Sequence, residues 1–458
     1  MRRHSLKCRY GAADKARINV IEKESRQTVI QFVERKKRFE YGIGDALEQL
    51  QEMGIEPTET AHDLLVLAAA VYCADTRINR YSESQDSWSR EVDLYLPVRD
   101  VKTWNGVTSL LSKMLEFLTG DKWRFLFRER PKGFTKVIRQ ADLGLSDLPT
   151  SACLFSGGLD SFIGAVDLLE AGESPLLVSH SWPSNVSGHQ NQCALALEGR
   201  YGKERIRRLK SRVGFPEGII RGTDPESTER SRSFLFFSLA AFAASGFGKP
   251  DVVIHVPENA LISLNVPLDT LRLGSLSTRT THPHYMQQFN ELVRMIGISA
   301  RVANPYKLKT KGEMVSGCSN QKFLAKHVAL TMSCASPTKS RWLKLPPGHC
   351  GFCLPCIIRR ASTLNWKYRD ETQYHTKLRG RALNSQRAEG DNIRSFQLAL
   401  HRLNNDIRRA RVLTHKSGPL GNNAKELENL AQVYLRGMRE VAKFLHGVKT
   451  SPNASTPR

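Results

Sequence analysis

Six residues, Ser156, Gly157, Gly158, Leu159, Asp160 and Ser161, stand between the apolar run ACLF and the apolar-periodic run FIGAVDLLEAG. Two adjacent glycines open backbone angles closed to other residues and let a ligand approach the main chain. Ser156 and Ser161 add hydroxyl donors, and Asp160 could hold a Mg²⁺ ion that bridges phosphate oxygens. The first N–H groups of the helix that follows, aided by its dipole, favour an anion in front of them. Phosphate binding is one reading of the string; a plain glycine turn capped by Asp160 is the other. The sequence contains no G-x-x-x-x-G-K-[ST], which excludes a Walker loop.

A second group with chemistry in its spacing is Cys334, Cys350, Cys353 and Cys356. The last three are separated by two-residue gaps, which suit ligands on a tight turn, and four thiolates close a tetrahedral Zn²⁺ site. Such a site is structural, because no coordination position stays open for water. A redox or iron–sulfur centre, or His349 in place of one thiolate, are the alternatives. The other five cysteines, Cys8, Cys73, Cys153, Cys193 and Cys318, are scattered singly.

The elements that must position these groups read as an α/β chain. From Ser151 onward near-continuous apolar strands alternate with helices: ACLF, PLLVSH, DVVIHV and ISARVANP, with RSFLFFSLAAFAASGFG a helix apolar almost all round. That rhythm predicts a parallel, doubly wound sheet, with ligands at the carboxyl ends of its strands. Residues 1–148 predict an α+β domain, with a buried helix over TAHDLLVLAAAVYCADT and half-buried strands REVDLYLPV and KWRFLFRER. No catalytic motif lies there, and packing, dimer formation or partner docking is its expected role. Residues 149–372 hold both chemical motifs, and residues 373–458 predict a basic helical extension ending in a disordered tail.

At 458 residues with 40% apolar and 25% charged side chains, the composition is that of an ordinary globular protein. No apolar run is long enough to span a membrane, and the basic N-terminus carries no apolar signal core, so a cytoplasmic location is expected. The net charge of +23 admits a polyanionic partner. Clusters at Arg35 to Arg38 and Arg200 to Arg212 are candidate nucleic-acid contacts, although Tyr201 is their single aromatic. A solvated basic surface explains the same charge.

The string SGGLDS resembles the PP-loop of the N-type ATP pyrophosphatases, and the cysteine segment narrows the resemblance to the 7-cyano-7-deazaguanine synthase (QueC) family. There T-x-S-C is followed by C-G-x-C-x-x-C and paired arginines. Here Thr331, Ser333, Cys334, Cys350, Gly351, Cys353, Cys356, Arg359 and Arg360 stand in that order, with a lengthened spacer after Cys334. RSFLFFSLA is similar to a family helix and brings Arg232 to the site, with Ser233 in place of an Asn and Arg230 as a rival. PYKLKTKGEMV resembles a further segment and puts Lys311 near the phosphates, beside Thr310 and Glu313. The resemblance covers Ser151 to Arg360. It departs at THPHYMQQF, where the synthase's Asp is missing and His282 and His284 flank Pro283. PENALISLNVPLDTLRLGSLSTRTTHPHYM is instead similar to QueC-like subunits of Qat-type anti-phage defence operons, which also carry an extra N-terminal domain.

The resemblance implies ATP, Mg²⁺ and Zn²⁺ as cofactors. It implies Ser156, Gly157, Gly158, Leu159, Asp160 and Ser161 around the pyrophosphate, and Asp160, Lys311 and Arg232 as catalytic groups. The implied reaction adenylates the carboxylate of a 7-deazaguanine acid and couples it to an amine, the N-terminus of a partner protein from the same operon. Nitrile formation from ammonia, ATP-dependent modification of tRNA or DNA, and a non-catalytic nucleotide sensor are the alternatives. Which residues read the base stays open: Glu258 and Asn259 follow a strand end, and His255, His282 and His284 read more readily as structural.

Overall fold

A computed structural model describes residues 3–33, 38–138, 148–180, 187–269, 279–335, 337 and 348–454. Its first part runs through β1 (His4–Arg9), β2 (Arg26–Gln31), α1 (Ile43–Glu52), α2 (Glu59–Arg77), α3 (Arg80–Glu83), β3 (Glu91–Val98), α4 (Val101–Gly106), α5 (Thr108–Thr119) and β4 (Lys122–Glu129). These four strands are all parallel, in the order β2-β1-β3-β4. The first part is therefore α/β, not the expected α+β. The alternation in REVDLYLPV suggested a sheet with one wet face, yet β3 is an interior strand, buried on both. Its buried acid, Asp93, survives there because Arg3 lies at 2.8 Å and Arg124 at 2.6 Å.

The second part runs through β5 (Ala152–Leu154), α6 (Leu159–Glu170), β6 (Leu176–His180), α7 (Ser187–Tyr201), β7 (Arg207–Ser211), α8 (Arg232–Ala244), β8 (Val252–His255), α9 (Ala260–Leu264), α10 (Pro283–Met295), β9 (Ala300–Ala303), α11 (Lys311–Ser316) and α12 (Gln321–His327). Its five strands are parallel, in the order β7-β6-β5-β8-β9. The chain steps outward from β5 to β7, then crosses back to add β8 and β9 on the other side. That reversal leaves a crevice outside the carboxyl ends of β5 and β8, the place where such sheets bind ligands. Side chains alternate in their packing: Ala152 and Leu154 join the core with α8 and α10, while Cys153 and Phe155 join α6, α7 and α12.

One hydrophobic core runs from the first sheet through α2 and α8 to the near face of the second sheet. Helix α2 explains this continuity, since it is buried along almost its whole length and packs on β3 as well as on α8. A helix apolar on every side needs cover on every side. Thr58 opens it, its hydroxyl accepting from the Ala61 N–H at 3.3 Å.

The last part contains α13 (Leu354–Ser362), β10 (Leu383–Asn384), α14 (Ala388–Leu403), α15 (Ile407–Thr414), α16 (Ala424–Leu445) and β11 (Thr450–Ser451). Helix α16 buries Leu430, Tyr434, Met438 and Val441 in a second core shared with α9 and α13. The expected disordered tail is corrected over residues 448–454. Thr450 and Ser451 pair in parallel with Leu383 and Asn384, and Val448 packs into the second core. Residues 455–458 lie outside the described residues. Among the described residues no helix is long and apolar enough to cross a membrane.

The basic cluster Arg200 to Arg212 contains an element that charge had masked, β7, which lies at the sheet's edge. Charged edge strands resist pairing with other chains. Arg208 and Lys210 both donate to Asn191 Oδ1 on α7, at 3.1 and 3.3 Å. Of the cluster Arg35 to Arg38, only Arg38 lies within the described residues, and it pairs with Glu48 at 2.7 Å and with Asp45.

Candidate functional site

At the carboxyl end of β5 the chain turns through Ser156, Gly157 and Gly158 directly into α6. Gly157 has φ +77°, and a Cβ there would stand 3.0 Å from the backbone nitrogen of Gln190 on α7. The angle favours glycine, and a Cβ there would also force Gln190 to give way. The serines order the turn from within: Ser156 Oγ accepts from the Gly158 N–H at 3.3 Å and meets Ser161 Oγ at 3.2 Å, while Ser161 Oγ donates to the Gly158 carbonyl at 3.0 Å. No side chain caps α6, so the reading of Asp160 as a simple cap does not hold.

Asp160, in the first turn of α6, points instead across the crevice. Lys311 Nζ lies 2.7 Å from its Oδ1, and Asn259 donates to its Oδ2 from the side-chain amide at 2.7 Å and from the backbone at 3.2 Å. Burial alone would push the Asp160 carboxyl up. The Lys311 ammonium and the hydrogen bonds from Glu258, Lys311 and Asn259 outweigh it and hold the carboxyl at about 2. Glu258 shares the same Asn259 amide at 3.2 Å. Its carboxyl is driven well above the usual range, first by burial and then by the neighbouring Asp160 charge. Two carboxylates and one lysine thus meet between the ends of β5 and β8.

Lys311 reaches this point because α11 begins at a complete capping box. Thr310 Oγ1 accepts from the Glu313 N–H at 3.0 Å, and Glu313 Oε2 accepts from the Thr310 N–H at 2.9 Å. A lysine at a helix start ordinarily faces solvent, but Lys311 is only 4% exposed. Asp160, Glu258 and Lys311 line a hollow of about 230 Å³ with Ser156, Gly158, Leu159, Ser161, Pro257, Ile262, Met332, Ser333, Cys334, Ala335 and Pro355.

The far wall of the hollow is the cysteine segment. The sulfurs of Cys334, Cys350, Cys353 and Cys356 all lie within 4.8 Å of one another, with Cys334–Cys353 and Cys350–Cys356 both at 3.9 Å. Sulfurs placed ~2.3 Å from a central zinc form a tetrahedron with edges of about 3.8 Å, so the set fits that ion. The Cys353 N–H donates to Cys350 Sγ at 3.3 Å, which turns the knuckle and orients the sulfur. His349 is not one of the group: its Nε2 accepts from the Ser333 N–H at 3.1 Å.

Arg359 explains why Thr331 and Ser333 accompany the cysteines. Fully buried, it donates to the Thr331 carbonyl at 3.0 Å, to Thr331 Oγ1 at 2.7 Å and to Ser333 Oγ at 3.3 Å. Ser333 Oγ in turn accepts from the Leu159 N–H at 3.4 Å, and the Met332 N–H donates to the Gly157 carbonyl at 2.8 Å. The cysteine knuckle and the glycine turn are therefore one hydrogen-bonded structure. Arg360 donates to Gly351 O at 3.1 Å and lies over the rings of Tyr374 and Phe444, at 4.7 and 5.0 Å.

Thus Ser156, Gly158, Leu159, Asp160, Ser161, Lys311 and Cys334 converge on one hollow, with Gly157 in the same turn and Cys350, Cys353 and Cys356 immediately behind. Arg232 stands apart from the lining. It opens α8, approaches the carbonyl of His180 at 3.4 Å and pairs with Glu229 at 3.4 Å. Its rival Arg230 donates to the Thr119 carbonyl at 3.0 Å and lies over Trp88 at 3.8 Å. His282 is structural: it caps α10, meets Ser417 Oγ at 3.1 Å, and burial lowers it to about 3. Asn259 and Ser333 are the polar members whose roles sequence reasoning missed. Asn259 directly after a strand end was the one local signal for the first. No protein-family model matches this chain, and neither the curated proteins nor the solved structures with which it was compared give a significant match.

Proposed function

We propose that this protein is an ATP-dependent carbon–nitrogen ligase of the PP-loop class, QueC-like, acting on a 7-deazaguanine acid. The observation that carries the reading is the buried Asp160–Lys311 pair, held behind a two-glycine turn at the reversal point of a parallel sheet. Asp160 and Glu258 offer hard oxygen ligands that suit Mg²⁺, and a cation between them would displace the proton that burial and the Asp160 charge favour on Glu258. When bound, Mg²⁺ would spread the charge of the phosphate oxygens.

The chain's own groups supply the rest. Unshared N–H groups at the start of α6 and the hydroxyls of Ser156 and Ser161 receive the β- and γ-phosphates, and Lys311 offers its ammonium to the same oxygens. A substrate carboxylate oxygen then attacks the α-phosphorus, the bond to the bridging oxygen breaks, and pyrophosphate leaves. An amine next attacks the acyl carbon, loses a proton and expels AMP. The closed four-sulfur knuckle serves as scaffold, since it leaves no ligand position for chemistry. The departure around His282 from the synthase pattern favours an amine other than ammonia, the N-terminus of a partner protein in an anti-phage operon.

A nucleic-acid substrate is the second reading, favoured by Arg208 and Lys210 on β7. Among the described residues neither makes an ion pair, and burial lowers the pKa of both. One incubation separates these readings: protein, ATP, Mg²⁺, 7-carboxy-7-deazaguanine and the operon's other proteins, followed by intact-mass measurement. Ligation predicts pyrophosphate, AMP and a partner heavier by the acid less one water. Free nitrile with unchanged partner masses would replace ligation by nitrile synthesis. Absence of pyrophosphate with every acceptor, tRNA included, would overturn the ligase.

A further inference from the structure

The C-terminal helix α16 lies beyond Arg360, in sequence that carries no motif of its own, yet it grips the turn that presents Lys311. Glu440 accepts from the Thr310 hydroxyl with Oε1 and from the Gly312 N–H with Oε2 at 3.2 Å. Gly312 leaves room for that carboxylate, since any side chain there would collide with it. One turn earlier on the helix, Arg436 donates to Glu313 Oε1 at 2.6 Å and to the Leu308 carbonyl at 3.1 Å. Glu313 is the acidic half of the capping box, so both halves of that box are tied to α16. Lys311 is the residue between the two that Glu440 holds, and its ammonium is the one aimed at Asp160.

We infer that Glu440 and Arg436 are positioning residues that fix the Lys311 ammonium over the hollow, so that the C-terminal helix completes the site. This rests on the proposed role of Lys311 only for its effect on turnover; the positioning itself is a property of the protein without nucleotide. Helix α11 has only six residues and would orient a lysine poorly by itself. A charged hydrogen bond to each flank converts the turn into a rigid mount.

The experiment measures acetylation of Lys311 in the ligand-free full chain by mass spectrometry. In the wild type the buried, paired amine should react far more slowly than the exposed Lys425 and Lys443. Glu440→Ala should raise the Lys311 rate by about tenfold, the expected effect of losing a charged hydrogen bond, and leave Lys425 and Lys443 unchanged. Glu440→Gln, which keeps one acceptor, should recover most of the protection. In turnover, Glu440→Ala should lower kcat for pyrophosphate release more than it raises KM for ATP. Equal Lys311 rates in wild type, Glu440→Ala and Arg436→Met, with all three melting together, would overturn the inference. If Glu440→Ala does not fold, Arg436→Met, at a partly exposed residue, carries the test. A wild type that releases no pyrophosphate counts against the ligase reading, while the acetylation rates still decide the positioning.

Discussion

Cys353→Ser should abolish zinc uptake by the four-sulfur group and loosen the glycine turn together. Four thiolates around one ion act as a unit, and structural zinc supplies on the order of 10 kcal/mol to the segment that folds around it. The loss reaches beyond the knuckle because Cys334 follows Ser333 and Met332, which hold Leu159 and Gly157. Elemental analysis of the wild type should give about one zinc per chain. The variant should give almost none and melt about 10 °C lower or more. Hydrogen exchange should then show faster opening at the start of α6 as well as at α13. A variant with full metal content and unchanged melting would refute a shared scaffold.

Asp160→Asn should cut pyrophosphate release by about 10²–10³-fold or more, the range for removing one preorganised electrostatic group. It also breaks the buried pair with Lys311 and leaves Glu258 as the acidic group beside that ammonium, which costs up to about 3–5 kcal/mol. Activity loss could thus arise from damage alone, and a double variant separates the two effects. Asp160→Asn with Lys311→Met removes the pair and leaves Glu258, whose carboxyl burial already holds well above the usual range, so melting should recover in large part while turnover stays lost. The pH dependence follows from the direction of the shift. A carboxyl held at about 2 instead of 3.8 contributes stability that is fully present above its unfolded value and disappears as pH falls through the folded one. Below about pH 5 the stability gap between wild type and Asp160→Asn should close as the Asp160 carboxyl takes up its proton.

The strand–turn–helix around SGGLDS was legible because its signals are local: apolar run, paired glycines, apolar period, and a stop at Gly172, whose φ is +86°. The cysteine spacing was legible for a similar reason, and the position of Arg359 acquires its meaning from the three groups it binds between Thr331 and Ser333. What escaped reading depends on distant partners. Alternation in β3 looked like one wet face because nothing near Asp93 in sequence announces Arg3 or Arg124. Strand β7 was hidden by its own charge, which an edge position tolerates. Residues 448–454 looked unstructured because VKTSPNA has little apolar content, yet Thr450 and Ser451 pair with Leu383 and Asn384. Arg232 shows another limit: the apolar run placed α8, while the side chain's contacts, the His180 carbonyl and Glu229, could not be read from the sequence.

The claim on which the account turns is that phosphates sit against the main chain between β5 and α6. Titration calorimetry of ATP with Mg²⁺ into the wild type and Gly157→Ala tests it most directly. The account predicts binding in the range of about 1 μM to 1 mM for the wild type, a usual span for enzyme substrates. It predicts at least about tenfold weaker binding for Gly157→Ala, whose methyl group would press on Gln190 and strain the turn. A wild type that takes up no ATP, or a Gly157→Ala protein that binds it equally well, would contradict the account.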